Sequence, residues 1–382
     1  MKITAFKLYK VKPRWVFLKI ETDEGISGWG EPIAESRADT SIAAVKEMQS
    51  YLIGQDPMRI EHHFQYMYRG PFYRGGPVLM SAISGIEQAL WDIKGKALGV
   101  PVYELLGGAV RERIKCYAWV GGDDPEAAPE DAKERLKQGF RNIKMNATGA
   151  CERIGDYREI DAAVARMAAV RETVGPEVGI GIDFHGRVHK SMAKSLVKAL
   201  EPYRPMFYEE PVLPEHLDFL SELSRHTSIP LATGERLYGR WGFKELITRG
   251  TVDLIQPDLS HCGGIFEGRK IAAMAEAYDI GVAPHCPLGP LTLVSSMNLD
   301  ACTPNFVIQE MSLKMQYNTS GDLHDYIRNK DVFDVKDGYL DLPKLPGLGV
   351  DIDEEAVIEA EKEAFIWKDR NWRHEDGSIA EW

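Results

Sequence analysis

VGIGIDFHG (178–186), PMFYEEP (205–211), IPLATGER (229–236), VDLIQPD (252–258), IGVAPH (280–285) and NFVIQE (305–310) share one form: an apolar run closing on a residue that can carry charge. The closing residues are Asp183 with His185, Glu209 with Glu210, Glu235, Asp258, His285 and Glu310. From 183 through 209, 235, 258 and 285 to 310 the steps are 26, 26, 23, 27 and 25. A strand, a helix and two short loops occupy about that length, since a βαβ unit takes roughly 30 residues. Two earlier runs extend the series: RIKCYAWVGG, about 113–121, and FRNIKMN, 140–146. Eight strand-like runs alternating strictly with helical segments predict a closed parallel sheet. The expected fold class is α/β, a modified TIM barrel of the (β/α)7β kind, with its site at the carboxyl ends of the strands.

Outward from this repeat, helices are expected over 160–173, 191–201, 215–225, 241–249, 266–278 and 290–302, and in PEDAKERLKQG ahead of the second strand. Residues 1–34 alternate at period two and read as a three-stranded antiparallel meander. Helices follow at 39–53 and 58–68, then the glycine-rich loop YRGPFYRGGP (68–77), then a long helix over 79–98 that Gly99 closes. After Glu310 the rhythm stops. DVFDVKDGYLDLP reads as a hairpin turning at Lys336-Asp337-Gly338, PGLGV as a short extended piece and DEEAVIEAEKEA (353–364) as a helix. The expected domains are an α+β capping domain over 1–112, the barrel over 113–320 and a C-terminal segment, 321–382, completing the cap.

The chain has 382 residues, enough for roughly two domains. Its net charge is −12, which argues against nucleic acid or an anionic membrane as partner. An anionic substrate would then need a local positive charge, and a bound metal ion is the simplest source. No run reaches the roughly 18 apolar residues of a membrane span, and MKITAFKLYKVKPRW lacks a signal-peptide core, so the protein reads as cytoplasmic. The five cysteines are scattered without CxxC spacing, which indicates neither a disulfide framework nor a zinc knuckle.

Asp183, Glu209 and Glu235 close three successive strands. Their carboxylates could converge on a hard divalent cation such as Mg²⁺, which prefers oxygen ligands; alternatively each caps a helix or pairs with a lysine. Side chains alternate along a strand, so one of Glu209 and Glu210 faces inward, and spacing does not choose between them. His185 follows Asp183 by two positions and would point over the same mouth if the strand still holds there. Asp258 and His285 close adjacent strands, where the carboxylate could fix the imidazole tautomer and leave the other nitrogen as a general base. Glu310, kept protonated by an apolar setting, could hydrogen-bond an oxyanion; the alternative is a plain salt bridge. Lys144 and Asn146 share a face at the end of the second strand and are candidates for binding substrate; the lysine could hold a substrate carboxylate or serve as a base if its pKa is lowered, and the alternative is a solvated or salt-bridged lysine. Cys286 stands beside His285, but nothing in the pattern calls for covalent chemistry. A metal, a base, an acid and an oxyanion partner together suit removal of an α-proton from a carboxylate followed by loss of a β-hydroxyl.

At this point the residues resemble the enolase superfamily, mandelate racemase branch. The resemblance spans the chain, and WVFLKIETDEG, GWGEP, FYRGGP, QALWDIKGK, DFHGRV, EEPV, QPDLSHCGGI, APHCPLGP, LPGLGV and WRHEDGSIAEW are similar to strings of bacterial acid-sugar dehydratases. It implies Mg²⁺ held by Asp183, Glu209 and Glu235, with Glu209 taken over Glu210. It implies the Asp258–His285 dyad as base for the C2 proton and His185 as acid for the departing C3 hydroxyl. Glu310 would hydrogen-bond the enediolate. Many superfamily members carry a KxK pair on the second strand; here it is Lys144-Met145-Asn146, which leaves a one-sided histidine base suited to elimination. The implied partner is a small acid sugar, and a homo-oligomer, an octamer, is expected. Which acid sugar would be settled in the cap, by Arg14, Trp15 and the 68–77 loop with Arg74. The rival readings are a dehydratase of another hexonate and a barrel that binds a sugar acid without turning it over.

Overall fold

The computed structural model describes all residues except 123–125, 319 and 364–366. Three strands, β1 (Ile3–Val11), β2 (Trp15–Thr22) and β3 (Ser27–Gly30), form the antiparallel meander that the period-two alternation predicts. Helices Ala38–Leu52, Ile60–Arg69 and Pro77–Leu98 follow. The last begins two residues earlier than expected because Pro77 suits the first helical turn, and it ends on left-handed Gly99. β3 lies so close to this helix that a Cβ built on Gly30 would collide with the Gly85 carbonyl.

The repeat becomes eight parallel strands in chain order: β4 (Arg113–Trp119), β5 (Asn142–Asn146), β6 (Gly179–Asp183), β7 (Tyr208–Glu209), β8 (Leu231–Thr233), β9 (Leu254–Ile255), β10 (Gly281–Val282) and β11 (Gln309–Met311). β11 pairs back onto β4, and a Val282–Phe306 bridge joins β10 to the segment entering β11, which closes the ring. Tyr117, Phe207, Leu254, Ala283 and Ile308 belong to one buried cluster apart from the main core. Each stands two residues before Trp119, Glu209, Gln256, His285 or Glu310. Period-two alternation therefore places those five polar or aromatic side chains on the same face as the apolar plug, one layer nearer the carboxyl end.

Three details differ from expectation. The helix foreseen at 215–225 is a 3-10 stretch, Pro214–Phe219, with a single α turn, Leu220–Leu223. The foreseen hairpin is reduced to its turn: Lys336 pairs with Tyr339 across Asp337-Gly338 in a single antiparallel bridge, Lys330–Phe333 is 3-10, and β12 (Tyr339–Asp341) pairs antiparallel with β4. The helix expected over 353–364 is Glu354–Glu361, and residue 364 lies outside the described residues.

The chain's two ends meet. Lys19 pairs with Glu354 at 2.7 Å, and Tyr9 donates to the same carboxylate. Farther on, Trp367 stacks on Arg14, and the Asp369 amide donates to Ser36 Oγ at 2.6 Å. Arg187, from the loop after β6, lies against both Trp372 and Trp382. The tail thus crosses from the meander to the barrel mouth. Among the described residues, no helix is long and apolar enough to cross a membrane.

Candidate active site

β9 and β10 bring Asp258 and His285 together. His285 Nδ1 lies 2.8 Å from Asp258 Oδ2, while Asp258 Oδ1 accepts from the Ser260 amide at 2.7 Å. The carboxylate accepts, so Nδ1 carries the proton and Nε2 is directed elsewhere. Nε2 stands 3.6 Å from Glu235 and 3.8 Å from Glu310. Burial pulls the His285 pKa down, but Glu235, Glu310 and Asp258 outweigh it and hold it well above the ordinary value.

β6 ends at Asp183, and His185 then takes a left-handed backbone, φ 54°. The strand does not hold as far as His185; the turn, rather than strand alternation, aims it. His185 Nδ1 lies 2.8 Å from Asp183 Oδ2, and the His185 amide donates to Oδ1 at 2.6 Å. Burial raises the Asp183 carboxyl, but His185 and Lys144 more than offset it and leave it well below the usual range. The Trp382 ring packs 4.8 Å from the imidazole.

The two glutamates of EEP part ways. Glu209 points into the ring, accepting from Lys144 and, at 2.6 Å, from Gln256. Glu210 leaves the strand with φ 42° and is held by Thr233, the Gly234 amide and Arg236. Glu235 breaks the alternation: it follows Gly234, whose φ of 138° redirects the chain, and its buried Oε2 has no hydrogen-bond partner. Burial pushes both Glu209 and Glu235 upward; Asp183, Glu310 and Glu235 add to the rise at Glu209, and Glu210 adds to it at Glu235.

Among the described residues no three of His, Cys, Asp and Glu stand at coordinating separation. Asp183 is turned onto His185 and Glu209 onto Lys144. The donor set nevertheless fits a hard cation: three carboxylates at the ends of neighbouring strands, two of them buried, with one oxygen of Glu235 unpartnered and like charges adding to the effect of burial at Glu209 and Glu235.

Lys144 is fully buried. It pairs with Glu209 and, at 2.8 Å, with Glu310, and although burial lowers its pKa, those two carboxylates raise it well above the ordinary lysine value. A lysine base here is disfavoured, and no free ammonium faces the cavity for a substrate carboxylate. The apolar setting expected around Glu310 is corrected for the same reason. Burial raises its carboxyl, but Lys144 and His285 bring it below the usual range, and it also accepts from Trp119 and the Cys286 amide. Asn146 donates to Gly122 O at 3.0 Å and leaves its own Oδ1 without a partner. Burial pushes the Cys286 thiol well up, which removes it as a nucleophile.

A cavity of about 330 Å³ opens over the two histidines. The barrel supplies His185, Glu235, Arg236, Tyr238, His261 and His285; the N-terminal region supplies Ala34, Glu35, Arg37, Pro77 and Val78; the tail supplies Asp369 and Trp382. The three substrate contacts expected from the N-terminal region are not among these. Arg14 is buried, paired with Glu35 and donating to Pro287 O at 2.7 Å. Trp15 is wholly buried between Phe17 and Tyr326. Arg74 lies over Tyr68 and lines a separate cleft with Tyr51 and Tyr66. Gln256, two residues before Asp258, could have been found from alternation alone. Trp382, Glu35 and Arg37 carry no periodic signal and come to the site only by long-range packing.

Residues 5–107 match the mandelate racemase / muconate lactonizing enzyme N-terminal domain, and residues 127–356 match the enolase C-terminal domain-like family. The chain is 55% identical over 385 residues to the D-galactonate dehydratase of Ralstonia pickettii (strain 12J), and 54% identical over 385 residues to that of Pectobacterium atrosepticum, covering 100% of each chain. A crystal structure of an enolase from Agrobacterium radiobacter, bound to Na and L-malate, superposes with a TM-score of 0.90 at 35% identity, covering 100% of both chains.

Proposed function

The chain belongs to the mandelate racemase / muconate lactonizing enzyme group of the enolase superfamily, and on that premise we propose that it is a D-galactonate dehydratase, a hydro-lyase giving 2-dehydro-3-deoxy-D-galactonate. The observation that carries this reading is the pair of histidines lining one cavity, each oriented by its own carboxylate: His285 by Asp258 and His185 by Asp183.

His285, in its neutral form, takes the C2 proton at Nε2, and Asp258 steadies the imidazolium that results. The electron pair of the C2–H bond moves toward the carboxylate as an enediolate. Its return forms the C2–C3 double bond, expels the C3 hydroxyl, and His185 supplies the proton with which that hydroxyl leaves as water. Tautomerisation of the enol gives the 2-keto acid. An oxyanion donor at Glu310 needs a proton, and in this arrangement Lys144 holds it; Glu310 can donate to the developing charge only when that proton passes to it. Asp183, Glu209 and Glu235 would hold Mg²⁺, which supplies positive charge for the substrate carboxylate. Within this reading residues 1–112 and 321–382 form the cap that selects the acid sugar, and the working form is a homo-oligomer.

The test is a panel of hexonates with added Mg²⁺ and a keto-acid colour assay. Rapid turnover of D-galactonate is expected, with gluconate and mannonate poor substrates and activity lost to a chelator. Turnover of gluconate without galactonate would replace the assignment with another acid-sugar dehydratase. Binding without turnover, unaffected by chelator, would make the barrel a binding protein.

A pH dependence follows from the crowded acids. Glu209 and Glu235 hold protons above the usual carboxylate range, and a cation must displace them. Mg²⁺ affinity is expected to rise with pH from the carboxylate range toward neutrality, with protons released on binding. Calorimetry in two buffers of different ionisation enthalpy measures that release; pH-independent affinity without it would contradict the assigned ligands.

A further inference from the structure

The two barrel loops that carry the dyad are each fastened to the N-terminal region by a buried glutamate. Glu31, just after β3, accepts from the Gly289 amide at 2.8 Å and the Thr292 amide at 3.0 Å, at the start of the helix Pro290–Cys302 that follows His285. Glu87, on the helix Pro77–Leu98, accepts from the Ile265 amide at 2.7 Å and the Phe266 amide at 2.9 Å, at the start of the helix Ile265–Glu276 that follows Asp258. The sequence makes room for both: a Cβ built on Gly289 or Gly264 would strike the glutamate beside it.

Gln88 links the two fastenings. Its Oε1 accepts from the Glu31 amide at 2.8 Å, and its Nε2 donates to Leu259 O at 3.1 Å. Ser260 Oγ, 3.3 Å from the same nitrogen, meets Thr292 Oγ1 at 2.6 Å, and the Ser260 amide donates to Asp258. None of Glu31, Glu87 and Gln88 lines the cavity. All three are buried, in well-satisfied hydrogen bonds, and their contacts converge on the segments on either side of the dyad.

We propose that Glu31 and Glu87 are positioning residues that set the Asp258–His285 geometry, so that the base is in register only while the N-terminal region is seated on the barrel. This rests on the dehydratase reading for its kinetic consequence and on the hydrogen bonds alone for its structural one. A misplacement of about 1 Å at a reacting group costs about 100-fold in rate.

The test compares Glu31→Gln and Glu87→Gln, near-isosteric changes that replace an acceptor oxygen with a donor, at a temperature where circular dichroism shows both folded. Expected is a kcat lower by about 10- to 100-fold with KM changed less than about threefold, and C2 exchange falling in step with kcat. Deuterium uptake followed by mass spectrometry is expected to rise in the 285–292 segment for Glu31→Gln and in the 258–266 segment for Glu87→Gln. Wild-type kcat in both variants, or loss confined to KM or to melting temperature, would overturn the proposal. The uptake measurement needs no substrate. A wild type inactive on every hexonate therefore removes the dehydratase reading alone, whereas unchanged uptake in both variants removes the clamp.

Discussion

Replacing His285 with asparagine is expected to abolish both dehydration of D-galactonate and exchange of its C2 proton with solvent deuterium. Asparagine is smaller but can place an amide N–H near the position of Nδ1 and still donate to Asp258, so that contact is kept while the proton acceptor at Nε2 is lost. General base catalysis contributes about 10²–10⁴-fold, and the fall in kcat should lie in that range or beyond it. Two neighbouring groups are already committed. Lys144 is held protonated between Glu209 and Glu310, and Asp258 is already committed to the imidazole and to Ser260. Proton NMR of the substrate in deuterated buffer reads the exchange directly. Persistent exchange in this variant would falsify the base assignment, whatever happened to dehydration.

The second large effect separates the two half-reactions. His185→Asn removes the acid and leaves the base, so dehydration should fall by about 10²–10⁴-fold while C2 exchange continues at a measurable rate. The geometry favours such a separation. His185 and His285 belong to different strands, and each has its own carboxylate, Asp183 and Asp258. Loss of the acid leaves the Asp258–His285 bond untouched. The enediolate formed by His285 can return the proton, now exchanged, to C2. Equal loss of exchange and dehydration would give His185 a different task, that of orienting the substrate against the base.

Much of this site is legible as a list of strand ends. In a closed parallel barrel every carboxyl end faces one mouth, and period-two alternation puts Glu209, His285 and Glu310 on the same face as Phe207, Ala283 and Ile308. The positions that resisted are those where the backbone leaves the strand. His185 and Glu235 reach the site through a left-handed turn and a Gly234 kink, which alternation does not encode. Lys144 could be read as a substrate-binding cation or as a salt-bridged lysine; it is a buried counter-ion because Glu209 and Glu310 flank it across the ring. Trp15 and Arg14 read as specificity residues because they belong to the cap. Trp15 packs in the core and Arg14 is paired with Glu35, and the charged side chains that the N-terminal region brings to the cavity are Glu35 and Arg37.

The sequence by itself determined the barrel, the order of its strands, and most of the acids and histidines at its mouth, His261 excepted, because a repeat of strand and helix at near-constant spacing has one parallel closure that keeps the same polarity at every strand end. Only the tertiary structure decided which of two adjacent glutamates turns inward, which side chains neutralise one another, and which residues of the N-terminal region and the tail reach over the histidines. Those outcomes depend on contacts between residues on different elements, from Glu210 with Arg236 and Glu209 with Lys144 to Glu31 with Thr292 and Trp382 with His185. Local periodicity carries no record of contacts made between elements.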